Sequence, residues 1–199
     1  MRADAHGPTH PLTVALGCRI GQVHVLRGQF AQAQTIFQGI LQIDDHGEAV
    51  WDTVKQLVRM SLAVAQLEQG NVAQALPALQ LAFDHFHANA AKARYLMSEA
   101  EVSVNLGRAF LLGGQEERAL PLLQRAVDAT QAKHPKSPTL ASHRAWLGLC
   151  CLALGDTAQA RALADLAQAA LDAEPSAGMH YRRSLALLSE KLAAELARG

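Results

Sequence analysis

Gly28-Gln-Phe-Ala-Gln-Ala33, Gly70-Asn-Val-Ala-Gln-Ala75, Gly114-Gln-Glu-Glu-Arg-Ala119 and Gly155-Asp-Thr-Ala-Gln-Ala160 are four renderings of one phrase. Their glycines stand 42, 44 and 41 residues apart. Self-similarity at a period of this size marks a chain that stacks one supersecondary unit along an axis. Such an architecture ordinarily offers a surface for holding another molecule, not a pocket for chemistry.

Outward from each glycine the copies stay in register. Five residues after it comes Ala33, Ala75, Ala119 or Ala160, and seven before it a small residue: Gly21, Ala63, Gly107 or Gly148. Eight before it stands a large aliphatic, Ile20, Leu62, Leu106 or Leu147. Nine after it are Phe37, Leu79, Leu123 and Ala164, and twelve after it Ile40, Ala82, Ala126 and Ala167. The glycine is read as a left-handed cap between two helices. The small residues at −7 and +5 let the two backbones approach where the helices cross, and the large ones at −8 and +9 fill the space on either side. Each unit is then a helical hairpin that needs its neighbours to bury its apolar face.

The spacing predicts helices over 12–27 and 30–43, 48–69 and 72–87, 92–113 and 116–132, then 138–154 and 157–173. A last helix over 178–197 follows from Leu185, Leu188, Leu192 and Leu196, with Arg182, Arg183, Glu190, Lys191 and Glu195 facing elsewhere. An amphipathic helix there covers the end of the stack. The fold class is all-α: four hairpins and a cap.

Composition excludes several alternatives. Half of the 199 residues are apolar but only 5% aromatic, and the apolar mass is 38 alanines and 30 leucines, both strong helix formers. Eighteen basic residues balance eighteen acidic ones with no basic stripe, which argues against nucleic acid. The apolar run Leu149–Leu154 is far short of the roughly 20 residues that cross a bilayer. Met1-Arg-Ala-Asp-Ala-His-Gly-Pro8 lacks the apolar stretch of a secretory signal. Cys18, Cys150 and Cys151 form no disulfide framework, which fits a reducing compartment such as the cytoplasm.

Leu106-Gly107…Gly114…Ala119 and Leu147-Gly148…Gly155…Ala160 share a pattern that resembles the tetratricopeptide repeat. The usual repeat has about 34 residues, so the period here resembles the longer, kinesin-light-chain-like variety. Asp4-Ala-His-Gly-Pro-Thr-His-Pro-Leu-Thr13 resembles the connector that precedes a repeat in such arrays, Lys133-His-Pro-Lys-Ser-Pro-Thr139 is a weaker copy, and Ser103-Val-Asn-Leu-Gly107 resembles a first-helix motif. The pattern departs where Gly17, Arg59, Ser103 and Arg144 stand in place of a common aromatic, and no proline ends the second helices. The resemblance implies a right-handed superhelical solenoid with a connector over 1–11, repeats over 12–46, 47–89, 90–134 and 135–174, and a capping helix over 178–197. A connector belongs between repeats, so one at the very start implies an array that continues upstream. The style of repeat and connector further resembles the C-terminal regions of bacterial serine/threonine kinases, where such arrays recruit substrates or regulate the kinase. This chain has no kinase motif of its own.

Catalytic and metal motifs are otherwise accounted for. His85 and His87 point to opposite sides of a helix with no further ligand at zinc spacing. Cys150 and Cys151, inside an apolar run, read as inert core thiols. Ser142 and His143 are helical neighbours whose side chains diverge, without a nucleophile elbow. Glu116 and Glu117 open a helix, where negative charge suits the dipole. The expectation is a binding protein with no enzyme activity, metal or cofactor.

In tetratricopeptide stacks the first helix of each hairpin lines a concave groove. Carried over repeat by repeat, those positions are Ala15, Cys18, Arg19 and Gln22; then Leu57, Met60, Ser61 and Val64; then Glu101, Val104, Asn105 and Arg108; then Ser142, Ala145, Trp146 and Leu149. The Lys/Asn/Arg set that clamps a peptide carboxylate is missing. The strip suits an amphipathic helix or extended peptide, with Asn105 and Arg108 as polar contacts and Trp146 as anchor. Packing within the superhelix, or against an upstream repeat, accounts for the same side chains equally well. The expected partner is a protein or peptide; a second copy is another, through an apolar end face without a neighbour. A free-standing adaptor or assembly chaperone, and an effector-sensing domain of a transcriptional regulator, are the alternative settings. No membrane contact is expected within this chain, although an anchor encoded upstream would place it beyond a membrane.

Overall fold

A left-handed glycine ends the first helix of every hairpin: Gly28, Gly70, Gly114 and Gly155 have φ of 74°, 81°, 70° and 86°. The residue after each donates its N–H five residues back, Gln29 to His24, Asn71 to Gln66, Gln115 to Phe110 and Asp156 to Cys151, at 2.9 Å in all four. That bond is the signature of a Schellman cap, which turns the chain sharply while satisfying a carbonyl at the helix end. A computed structural model of the chain describes Gly7 and residues 9–44, 49–94 and 96–197, and every regular element among them is an α-helix.

The chain divides into two compact units, Met1–Ser98 and Glu99–Gly199. In the first, α1 (Pro11–Leu26) pairs with α2 (Phe30–Leu41) and α3 (Ala49–Glu68) with α4 (Val72–Ala88), followed by the single turn α5 (Ala90–Ala93). Helix α3 lies against both α1 and α2, so the second hairpin stacks on the first. In the second unit α6 (Glu99–Leu112) pairs with α7 (Glu116–Lys133) and α8 (Pro138–Ala153) with α9 (Thr157–Asp172). Helix α8 leans on α7, and α10 (Met179–Leu196) covers α8 and α9. Stacked hairpins of this kind make each unit a length of α-solenoid.

The repeat offsets become packing. Ala33, Ala75, Ala119 and Ala160 are wholly buried at the crossings. A Cβ added to Gly21 would lie 2.4 Å from Phe37 Cε1, and one on Gly107 2.8 Å from Leu123 Cγ, so the bare backbone at these glycines receives the large +9 side chain of their own hairpin. The fourth hairpin differs. Its +9 residue is the small Ala164, and the space over Gly148 is taken by Leu188 of α10, 2.6 Å from where a Cβ would stand. The −8 position is core in Leu106 and Leu147 but not in the first hairpin, where Ile20 is 52% exposed.

Eight of the nine predicted helices begin and end within two residues of the observed ones. The exception is the third first-helix, expected from residue 92 but beginning at Glu99. Tertiary contacts override the local helical preference there: Arg19 of α1 donates to the Leu96 carbonyl and Met97 is buried at 2% exposure. A continuing helix would have used that carbonyl for the Ala100 N–H. Of the expected connector, residues 1–6 and 8 lie outside the described residues, as do 45–48 at the first repeat boundary. Its end is visible: His10 Nδ1 accepts from the Leu12 N–H and Pro11 opens α1, just as Ser137 Oγ accepts from Thr139 and Pro138 opens α8. Proline at the first helical turn costs no hydrogen bond.

The crossing predicts two glycine substitutions of opposite sign. Gly21→Ala is expected to lower stability by about 2 kcal/mol through overpacking against the buried Phe37 ring. Gly39→Ala, in α2 with nothing within 4 Å of the new Cβ, is expected to raise it by about 0.5–1 kcal/mol through helix propensity. Urea midpoints of the two variants moving the same way would refute the assignment.

Candidate functional site

The described part of the second unit contains a cleft of about 560 Å³ among α6, α8 and α10. Helix α8 supplies its floor with Trp146, Leu149 and Leu152, residues three apart that share one helical face. Leu111 and Leu112 close it from α6 and Leu187 from α10. The rim is ionic: Glu116 from the start of α7, and Glu190, Lys191 and Glu195 from α10. Three carboxylates against one ammonium make the opening acidic over an apolar floor.

Helix α10 is held in place as a wall of this cleft. Ser184 Oγ lies 3.0 Å from Ser142 Oγ, Leu188 is fully buried over Gly148, and Arg182 donates to the Leu171 carbonyl at 3.0 Å. The last contact places a cation at the carboxyl end of α9, where the helix dipole favours it. The final helix therefore does more than cover the stack; it stands beside α8 and provides three of the four charged rim residues.

The Trp146 ring is backed by Arg108 of α6, whose guanidinium carbon lies 4.5 Å from the ring centroid. This cation–π contact is worth about 0.5–1 kcal/mol at a partly exposed site, and it fixes the indole that closes one end of the floor. Elsewhere on α8, His143 is buried and bonded through Nδ1 to Thr130 Oγ1 at 3.0 Å. Thr130 uses its own proton on the Ala126 carbonyl, 2.8 Å away, so the imidazole must be the donor. Burial lowers the His143 pKa from 6.5 to about 4, and the Arg108 charge pushes in the same direction.

The sequence-predicted positions have varied fates. In the first unit Cys18, Leu57 and Met60 are buried in the helix packing, at 0, 0 and 1% exposure. Cys18 and Gln22 converge on Ser61, with Cys18 Sγ 3.4 Å and Gln22 Nε2 2.7 Å from its Oγ, and Ser61 donates to the Leu57 carbonyl. Arg19 is exposed and bonded to Gln22 Oε1 at 2.9 Å, and Val64 is half-buried. In the second unit Asn105 is buried, while Glu101, Arg108 and Ser142 are half-buried. Only Trp146 and Leu149 of the twelve line the cleft. Sequence reasoning missed Leu111, Leu152 and the α10 residues. Leu152 was within reach, since it continues the 146–149 face by one more step of three.

Ser142 and His143 bond to Ser184 and Thr130, on different helices, and form no catalytic pair. Cys150 donates to the Glu116 carbonyl at 3.4 Å; burial first, then the neighbouring Cys151, Glu116 and Glu117, push its thiol up to about 12. A thiol held protonated in this way is a poor nucleophile. Among the described residues no three His, Cys, Asp or Glu side chains are grouped as a metal site would require, and no helix is long and apolar enough to cross a membrane.

The tetratricopeptide-repeat family model matches residues 56–80 and 141–166, the second and fourth hairpins. A solved structure of a putative Podospora anserina kinesin light chain, described as having nearly identical TPR-like repeats, is 19% identical; the likeness covers 96% of this chain and 99% of that one, with a TM-score of 0.59. A solved structure of a MamA mutant is also 19% identical, over 92% of this chain and 89% of that one, with a TM-score of 0.51. At these identities the likeness is one of fold. No curated protein matches the chain significantly.

The neutral His143 makes stability depend on pH. The unfolded chain takes up a proton near pH 6.5 and the folded chain only near 4, so folding weakens as pH falls through that window, by on the order of 3 kcal/mol. The urea midpoint is expected to fall more steeply between pH 7 and 4.5 in the wild type than in His143→Gln. Parallel pH profiles would show that His143 is not a buried neutral group.

Proposed function

We infer that this tetratricopeptide-repeat chain is a protein-interaction scaffold that holds a helical segment of a partner in the cleft of its second unit. The observation that carries the reading is the combination of an apolar floor, Trp146, Leu149, Leu152 and Leu187, with an acidic rim, Glu116, Glu190 and Glu195, relieved only by Lys191. An amphipathic helix lays its apolar face into such a groove, and its flanking residues are selected by the rim. The partner segment is therefore apolar on one face and cationic on its flanks. Trp146 is the anchor: tryptophan dominates interface energies, and here Arg108 already fixes its ring. No step in this reading needs a catalytic group. The setting, as the recruiting part of a larger protein such as a bacterial serine/threonine kinase, rests on resemblance of sequence alone.

Two synthetic amphipathic helices with the same leucines test this, one carrying lysines and the other glutamates on its flanks. The lysine peptide is expected to bind and the glutamate peptide to bind at least tenfold more weakly, a difference that shrinks with salt. Leu187→Glu, at a half-buried position on the cleft wall, should weaken the lysine peptide by tenfold or more in calorimetry with the melting temperature unchanged. Equal affinity for both peptides would remove the charge argument, and undiminished binding to Leu187→Glu would remove the cleft.

A further inference from the structure

The cleft of the second unit has two unlike ends, because its walls run in one direction. Ser142 meets Ser184 and, further on, Gly148 receives Leu188, so α8 and α10 advance together. Arg108 lies on Trp146 and, further on, the Glu116 carbonyl accepts from Cys150, so α6 and the start of α7 follow α8 in the same sense. The lining residues therefore sort by level. Trp146 and Leu187 stand at one end, with the Arg108 guanidinium against the indole. Leu112, Ala153 and Glu195, each at or next to the last residue of its helix, stand at the other, where Glu116 joins them. The two levels are about 10 Å apart along α8.

Charge differs between these ends. The Trp146 end has a cation, Arg108. The Glu116 end has the carboxylates of Glu116 and Glu195 and the carboxyl termini of α6, α8 and α10. A helix terminus of that kind carries a partial negative charge. No basic side chain stands in the last turn of any of the three. Arg118 is close in sequence, but its guanidinium carbon lies 3.9 Å from the ring centroid of Phe110, which does not line the cleft. Glu190 and Lys191 lie between the two levels and offset each other. Glu101, two turns before Arg108 on α6, is outside the cleft.

We propose that the guest helix lies antiparallel to α6, α8 and α10, with its amino-terminal turn and its basic side chains at Glu116 and its carboxyl end at Trp146. The proposal rests on the reading of the cleft as a helix-binding groove and adds the direction of the guest. An apolar floor accepts leucines from a helix running either way, so charge decides. A helix has about half a positive charge at its amino end and about half a negative one at its carboxyl end. Antiparallel seating alone sets unlike charges together at both levels. It also brings the unsatisfied first N–H groups of the guest toward carboxylates able to accept from them. A parallel guest would press its carboxyl end on three others and on Glu116.

Two acetylated and amidated peptides with the same leucines test this, one with lysines in its first turn and glutamates in its last, the other with the two exchanged. A free helix prefers lysines in its last turn, so a preference for the first turn reports the cleft and not the helicity of the peptide. The first peptide is expected to bind at least about fivefold more tightly in calorimetry at low salt, a margin that shrinks as salt rises. Glu116→Gln should weaken that peptide by about threefold and spare the other. A nitroxide on its amino end should broaden the Leu112 methyl signals more than the Trp146 indole N–H, and one on its carboxyl end the reverse. Equal affinities, tighter binding of the exchanged peptide, a margin untouched by Glu116→Gln, or the opposite broadening would each overturn the direction and leave the groove standing. Failure of both peptides to bind, or binding that Leu187→Glu leaves undiminished, would overturn the groove and the direction with it.

Discussion

Everything in this fold follows from places where a helix carries no side chain. Gly21, Gly107 and Gly148 present bare backbone, and a large apolar side chain, Phe37, Leu123 or Leu188, fills each vacancy. Close approach of two backbones brings their buried apolar faces into dense contact, where dispersion and burial act together. It also fixes the crossing, since only one rotation of the hairpin seats the side chain on the glycine. With the Schellman cap setting the turn and the crossing setting the angle, a hairpin has little freedom left. Repetition then stacks the hairpins.

The fourth hairpin shows how the same constraint makes a cleft. Because Ala164 is too small to fill the space over Gly148, the position falls to Leu188 of the last helix. That substitution of one filler by another draws α10 against α8, and the cleft is the space between α10, α8 and α6. Its acidic rim is a by-product of an amphipathic helix: the leucines of α10 turn toward α8 and α9, which leaves Glu190, Lys191 and Glu195 at the opening. A helix whose first task is to close a stack thereby gains a second one.

The fold was legible because it is written four times. A single glycine-to-alanine phrase is a weak signal, but the copies agree on the cap, on the small residue at −7 and on the alanine at +5, and helix ends followed to within two residues. What failed was what repetition does not encode. The start of α6 is set by Arg19 and Met97, a contact particular to one place in the chain. The groove positions carried over from the repeat do not gather at one place either. Cys18, Leu57 and Met60 sit where a generic repeat offers groove residues, yet close approach of these helices buries them. The cleft that does exist depends on α10, which matches no repeat, so no internal alignment pointed to it. Trp146 and Leu149 are the two of those groove positions that the cleft does include, and they stand three residues apart on one side of α8.

The two ends of the repeat series are chemically unlike. A stack of hairpins must hide its terminal apolar faces, and the usual solution is a helix with a polar outer side. At the carboxyl end α10 has that form, leucines inward and Arg183, Glu190 and Lys191 outward. Helix α1 differs: Leu12, Leu16, Ile20, Val23 and Leu26 are exposed on it, beside the exposed Arg19. Ile20 occupies the −8 position that is core in Leu106 and Leu147, yet it is 52% exposed.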